Sequence, residues 1–172
     1  MSRYRPPQPR SKPYITLAGM NRLRDELDGL WKKRTEVTNA LSAAAAEGDR
    51  SENAEYIYRK KQLAGIDRRI RYLQKRMPDL KVVETPGDAR RIFFGARAEL
   101  EDDRGDIVSY CIVGADEISS DSSKGYISVD SPMAKAMLGK AVDDEFELKV
   151  GDNLSSFVVV SINYAELLEY EG

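Results

Sequence analysis

Apolar residues spaced alternately three and four apart run through two long segments of the chain, and a short polar stretch separates the segments. The first carries Met20, Leu23, Leu27, Leu30, Val37, Leu41 and Ala44, with Arg34 filling one seam position. The second carries Tyr56, Leu63, Ile66, Ile70, Leu73 and Met77, with Arg59 filling another. This is the pattern of helices that pack along a coiled-coil seam. Between them lies Gly48-Asp49-Arg50-Ser51-Glu52-Asn53-Ala54-Glu55-Tyr56. So short a connection requires the second helix to return antiparallel to the first, so the expected form is a hairpin with this stretch at its tip. A helix from about Thr16 to Ala46 spans roughly 45 Å, and a return helix from about Glu52 to Met77 roughly 40 Å, at about 1.5 Å per residue. A rod of that length buries only its seam. It makes a poor compact domain and a good carrier of a few side chains into a narrow place.

The rest of the composition narrows the function classes. There is no histidine and a single cysteine, Cys111. Ser-His and Cys-His catalysis, an internal disulfide and a structural zinc site are therefore excluded or strongly disfavoured. No apolar run is long enough to span a bilayer, and the leader lacks a signal-peptide core, so the expected location is cytoplasmic with no membrane partner. The net charge of −2 conceals a split. Residues 1–83 hold 19 basic and 10 acidic side chains, whereas residues 84–172 hold 8 and 19. That asymmetry points to modules with different partners.

Three regions follow. Residues 1–13, basic and proline-rich, read as a disordered leader. Residues 14–80 read as the hairpin, with Thr16 as the first N-cap and Gly48 closing the first helix. Pro78 ends the return helix. Residues 81–172 read as a small antiparallel β-sheet domain with one short helix, giving an α+β fold overall. Strands are expected at 91–100, 106–114, 125–130 and 157–164, and Ser131-Pro132 marks the helix start, with serine as N-cap and proline at the first position.

Two features carry chemistry. The return helix holds eight Lys or Arg between Arg59 and Arg76 against one acid, Asp67. Arg59, Lys60, Lys61, Arg68, Arg69, Arg71 and Lys75 form a candidate basic stripe, with Lys61, Arg68 and Lys75 one heptad apart. A solvated helix face normally mixes signs; one without such mixing suits a polyanion, RNA or DNA. The tip carries Asp49 and Glu52. Their spacing is that of a capping box, and Ser51 can also cap. Clustered carboxylates equally suit a hydrated Mg2+ or Mn2+, held weakly until a partner adds ligands.

The nine residues of the tip resemble those of the Gre transcript cleavage factors of bacterial RNA polymerase. Lys60-Lys61-Gln62-Leu63, Ile66-Asp67-Arg68-Arg69-Ile70-Arg71-Tyr72-Leu73, Phe93-Phe94-Gly95-Ala96 and Ile127-Ser128-Val129-Asp130-Ser131-Pro132-Met133-Ala134 resemble the GreB branch of that family. So do Ile112-Val113-Gly114 and Asp116-Glu117-Ile118, and the likeness runs from about Tyr14 to Tyr164. The basic leader, Ala43–Ala46, the loop from Ser119 to Gly125 and Thr35 depart from it. The resemblance implies an FKBP-like C-terminal domain that docks on the polymerase through Asp130, Ser131 and Pro132. It also implies a hairpin that enters the secondary channel of a backtracked enzyme. Asp49 and Glu52 would then help hold a second Mg2+ for hydrolysis of the nascent RNA 3′ end, and the basic stripe would lie along that RNA. The chain would act as a monomer and would not be an enzyme by itself. Three other readings stand beside this one: a channel-blocking inhibitor, a coiled-coil RNA-binding module, and a prolyl isomerase.

Overall fold

The computed structural model describes residues 10–48, 53–118 and 122–168. The chain divides into two compact units. One is Met20–Leu80, and the other joins the segment ending at Gly19 to the chain from Lys81 onward.

The first unit is the hairpin. Helix α1 is Leu17–Ala46, 30 residues, and helix α2 is Ala54–Arg76, 23 residues. Every seam residue named above is buried or half-buried. Val37 packs with Ile66 and Ile70, flanked by Leu27, Leu30 and Leu63. Burying an aliphatic side chain of this size contributes roughly 1.5–3 kcal/mol, so this cluster holds the middle of the rod. The antiparallel order shows in the cross-helix pairs. Glu26 meets Arg69, Arg34 meets Asp67, and Ala44 meets Asn53. Arg34, the polar seam position, thus places its Nε 2.7 Å from the only acid in the cationic part of α2. Both partners are about a third exposed, so the pair fixes register more than it adds stability.

The second unit is a five-stranded sheet in the order β5-β4-β3-β7-β6. Its strands are β3 Arg97–Asp102, β4 Ile107–Val113, β5 Tyr126–Ser128, β6 Glu145–Val150 and β7 Asn153–Asn163. The sheet is mixed, not antiparallel as the sequence reading had it, because β5 runs parallel to β4. The connection from Gly114 to Gly125 is long enough to bring the chain back to the same end. A second parallel pair joins β1, Tyr14–Thr16, to β2, Lys81–Val83.

The expected strand at 91–100 begins only at Arg97. Before it the chain turns, held by the Tyr164 hydroxyl, which donates to the Arg91 carbonyl at 2.5 Å and accepts from the Phe93 N–H at 3.0 Å. Helix α3, Pro132–Met137, lays Ala134 and Met137 onto a core that includes Ile92, Leu100, Ile112 and Val159. A one-turn helix α4, Ala165–Leu168, closes the described chain.

Glu117 is the buried polar centre of this unit. Its carboxylate accepts from the N–H groups of Gly114 at 2.8 Å and Thr16 at 3.0 Å, and from the Thr16 hydroxyl. The Thr16 hydroxyl oxygen in turn accepts from the Gly19 N–H at 3.0 Å. Thr16 is therefore the N-cap of α1, as expected. Gly19 faces the carboxylate so closely that a Cβ there would lie 2.2 Å from Glu117 Oε1. Glycine at this position is required by that approach.

Candidate functional site

The hairpin turn is built from two helix ends. Helix α1 ends at Ala46, the Glu47 N–H donates to the Ala44 carbonyl at 3.3 Å, and Gly48 follows with φ +147°. That conformation is open to glycine and strained for other residues. The chain is next described at Asn53, whose side-chain Oδ1 accepts from the Tyr56 N–H at 3.1 Å. The N-cap of α2 is therefore Asn53, not Asp49 or Ser51. The Asn53 carboxamide also donates from Nδ2 to the Ala44 carbonyl, at 2.7 Å. One side chain thus satisfies an orphan N–H of α2 and a carbonyl in the last turn of α1. Asp49 and Glu52, the expected metal-binding acids, lie outside the described residues. Among the described residues, no group of three or more His, Cys, Asp or Glu is placed to hold a metal ion.

The seven candidate stripe residues separate into two sets. Lys60, Lys61, Arg68, Arg71 and Lys75 are exposed; by heptad position Lys61, Arg68 and Lys75 lie opposite the seam, Arg71 lies beside that line, and Lys60 flanks the seam. Arg71 spends one N–H on the Asp67 carbonyl, at 3.3 Å. Lys60, Lys61, Arg68 and Lys75 have no ion-pair partner among the described residues. Arg59 and Arg69 are placed differently. Arg59 is half-buried at its seam position, bonded to Glu55 at 2.7 Å and Gln62 at 3.2 Å. Arg69 grips Glu26 with both arms of its guanidinium, at 2.6 and 2.9 Å. Such forked pairs are the stronger kind of ion pair. The outer face also presents aromatics that the stripe reading omitted: Tyr72 is 44% exposed beneath the Arg69 guanidinium, and Tyr58 is 59% exposed beneath that of Arg59.

In the sheet unit, Asp130, Ser131 and Pro132 stand where β5 hands over to α3. Ser131 is the N-cap, its Oγ accepting from the Ala134 N–H at 3.1 Å, and Pro132 takes the first helical position. Asp130 takes no part in capping. Its Oδ2 accepts from the Lys12 N–H at 2.9 Å, and the residue stays partly exposed. The acid and the cap are separate devices on neighbouring residues.

The residue that sequence reasoning missed is Asn53. The signal was present, since asparagine is among the preferred N-caps and stands directly before Ala54-Glu55-Tyr56. The Asp49-x-x-Glu52 spacing offered a cap four residues before the observed one, and the expected helix start at about Glu52 lies two residues before Ala54.

Two family models match the chain. "Transcription elongation factor, N-terminal" covers residues 13–82. "Transcription elongation factor, GreA/GreB, C-term" covers residues 87–164. Transcription elongation factor GreB of Xanthomonas axonopodis pv. citri is 57% identical over 170 residues, which is 97% of this chain and 100% of that protein. The GreB of Pseudomonas aeruginosa is 51% identical over 166 residues, 95% of this chain and 98% of that protein. Among solved structures, the transcription factor Gfh1 is 28% identical with a TM-score of 0.43, covering 88% of this chain and 97% of that one. With both family models together spanning nearly the whole hairpin and sheet units, and near-full-length relatives at half identity or more, the chain belongs to the bacterial GreA/GreB family of transcription elongation factors, on its GreB side.

Proposed function

We propose that this chain enters the secondary channel of bacterial RNA polymerase tip first and stimulates cleavage of the backtracked RNA 3′ end, returning arrested complexes to elongation. The observation that carries this reading is the Gly48–Tyr56 sequence at the turn of a two-helix rod, in a chain of the GreA/GreB family. A seam-only rod about 45 Å long has the shape to reach a recessed active centre while its other end stays outside. The acids at the turn are the groups such a rod would deliver.

The chain has part of an active site and not the whole. Asp49 and Glu52 are hard oxygen donors suited to Mg2+, and two carboxylates leave most of its coordination sphere to be filled by polymerase, RNA phosphate and water. When bound, the metal supplies the charge neutralisation and water activation of phosphodiester hydrolysis. The chain's own residues supply the rest of the positioning. Lys60, Lys61, Arg68, Arg71 and Lys75 follow the extruded RNA by its phosphates. Asp130, beside the rigid start of α3, offers an acid to a basic element at the channel rim. The protein is thus no enzyme by itself. It acts as a monomer in the compartment of its polymerase, and no helix among the described residues is long and apolar enough to cross a membrane.

The test is a purified polymerase complex, backtracked on a template and carrying RNA labelled at its 5′ end. With Mg2+ present, adding this protein should shorten the RNA and restore elongation on nucleotide addition. Inhibition of elongation without shortening would instead make the chain a channel blocker.

A further inference from the structure

The tyrosines of α2 are Tyr56, Tyr58 and Tyr72. Tyr56 is half-buried at the seam, whereas Tyr58 and Tyr72 are exposed. These two share one heptad position and stand roughly 21 Å apart along the helix. Their row runs between the row of Lys61, Arg68 and Lys75 and the row of Gln62, Arg69 and Arg76. Midway on it is Gly65, where even a Cβ would meet nothing within 4 Å. Each ring has the same companions. The Arg59 guanidinium lies 5.5 Å from the Tyr58 ring centroid, and Glu55 holds that arginine at 2.7 Å. The Arg69 guanidinium lies 5.2 Å from the Tyr72 ring centroid, and Glu26 holds it by two bonds. A carboxylate, a guanidinium and a phenol ring are thus assembled twice on α2.

We propose that Tyr58 and Tyr72 are stacking platforms for the bases of a single-stranded RNA whose phosphates meet the neighbouring cations. This inference rests on the reading of α2 as the face that RNA follows.

The outer rows of an amphipathic helix are ordinarily polar, so two exposed phenol rings on one such row call for a partner. Surfaces that hold single strands combine cations that track the backbone with aromatic rings on which bases stack, with little regard to sequence. Both kinds of group occupy adjacent rows here. A ring packed against a pinned guanidinium has less freedom to lose when a base arrives. The rings also add a selectivity that the cations lack. Lys61, Arg68 and Lys75 attract any polyanion, whereas stacking requires an unpaired base.

The full chain is compared as wild type, Tyr58→Ala with Tyr72→Ala, Tyr58→Phe with Tyr72→Phe, and the triple alanine variant of Lys61, Arg68 and Arg71. Fluorescence anisotropy measures binding of a labelled single-stranded RNA and of an equally long strand with abasic sugars, across a salt series. Helicity, melting temperature and affinity for polymerase by competition are measured beside it.

The expected result is that the double alanine variant folds like wild type but binds the RNA at least about five-fold more weakly. Its dependence on salt should match wild type, because no phosphate contact is removed. The double phenylalanine variant should bind the RNA like wild type. Wild type should discriminate against the abasic strand, and the double alanine variant should not. Equal binding of both strands by wild type overturns the proposal. So does an unchanged RNA affinity in the double alanine variant, or a loss that lost helicity accounts for. Unchanged RNA affinity with weakened binding to polymerase would assign the rings to a protein contact instead. Failure of the underlying reading looks different: wild type then binds no RNA at low salt, or the triple variant leaves the salt dependence unaltered, and the stacking role falls with it.

Discussion

Neutralising Lys61, Arg68 and Arg71 together should change how RNA binding responds to salt by an amount that the structure sets in advance. Five cations on α2 are exposed, whereas Arg59 and Arg69 are engaged by Glu55 and Glu26. If each exposed cation meets one phosphate, the slope of log K against log salt for a single strand is about −3.5, from about 0.7 per contact. Removing three leaves about −1.4. Between 50 and 200 mM salt, wild type should then lose roughly a hundred-fold in affinity and the triple alanine variant under ten-fold. The assay is fluorescence anisotropy of a labelled single-stranded RNA, titrated at four salt concentrations. Arg59→Ala with Arg69→Ala is the control, and it should move the slope by less than one contact. On stalled polymerase the triple variant should act less well on long extruded RNA than on short, because Lys61 to Lys75 spans roughly 21 Å of helix and a longer strand meets more of it. An unchanged slope in the triple variant, or an equal change in the control, would refute the division into engaged and available cations.

Two further outcomes follow from single contacts. Glu117→Ala removes the acceptor of two backbone N–H groups and a hydroxyl, and each buried group left unpaired costs about 1–3 kcal/mol. Unfolding of the sheet unit in denaturant should show a loss of about 3 kcal/mol or more, with Glu117→Gln milder because it keeps one acceptor oxygen; a loss below about 1 kcal/mol would mean water replaces the carboxylate. Asp130→Ala should raise the dissociation constant for polymerase several-fold with an almost unchanged melting temperature, since Ser131 holds the cap. A lower melting temperature at unaltered affinity would move the docking surface elsewhere.

The parts of this molecule visible in its sequence are those governed by local periodicity. The seam from Met20 to Met77 is a repeat of three and four, and each position it named is buried or half-buried. Thr16, Ser131 and Pro132 act within one helical turn, so their roles could be read from a few residues. The sheet was harder. The parallel pairing of β4 with β5 depends on where a long connection returns the chain, which no local pattern encodes. Strand β6, Glu145-Phe146-Glu147-Leu148-Lys149-Val150, alternates polar and apolar, a pattern legible in the sequence, yet it is absent from the four strands expected there. At the candidate site the cationic composition of α2 was evident, but which cations are available was not. That depends on Glu26 lying opposite Arg69 across the hairpin, a contact 43 residues apart. Asn53 is the same kind of case, since its second bond goes to a residue nine positions back.

The central claim is that the chain carries two carboxylates to another protein's active centre. It is tested most directly by the rate of RNA cleavage in a backtracked polymerase complex saturated with wild type, Asp49→Ala or Glu52→Ala, with binding measured in parallel. The account predicts that each substitution abolishes stimulated cleavage while affinity for polymerase stays within a few-fold of wild type. Cleavage that persists in both variants, or that falls only in proportion to lost binding, would contradict it.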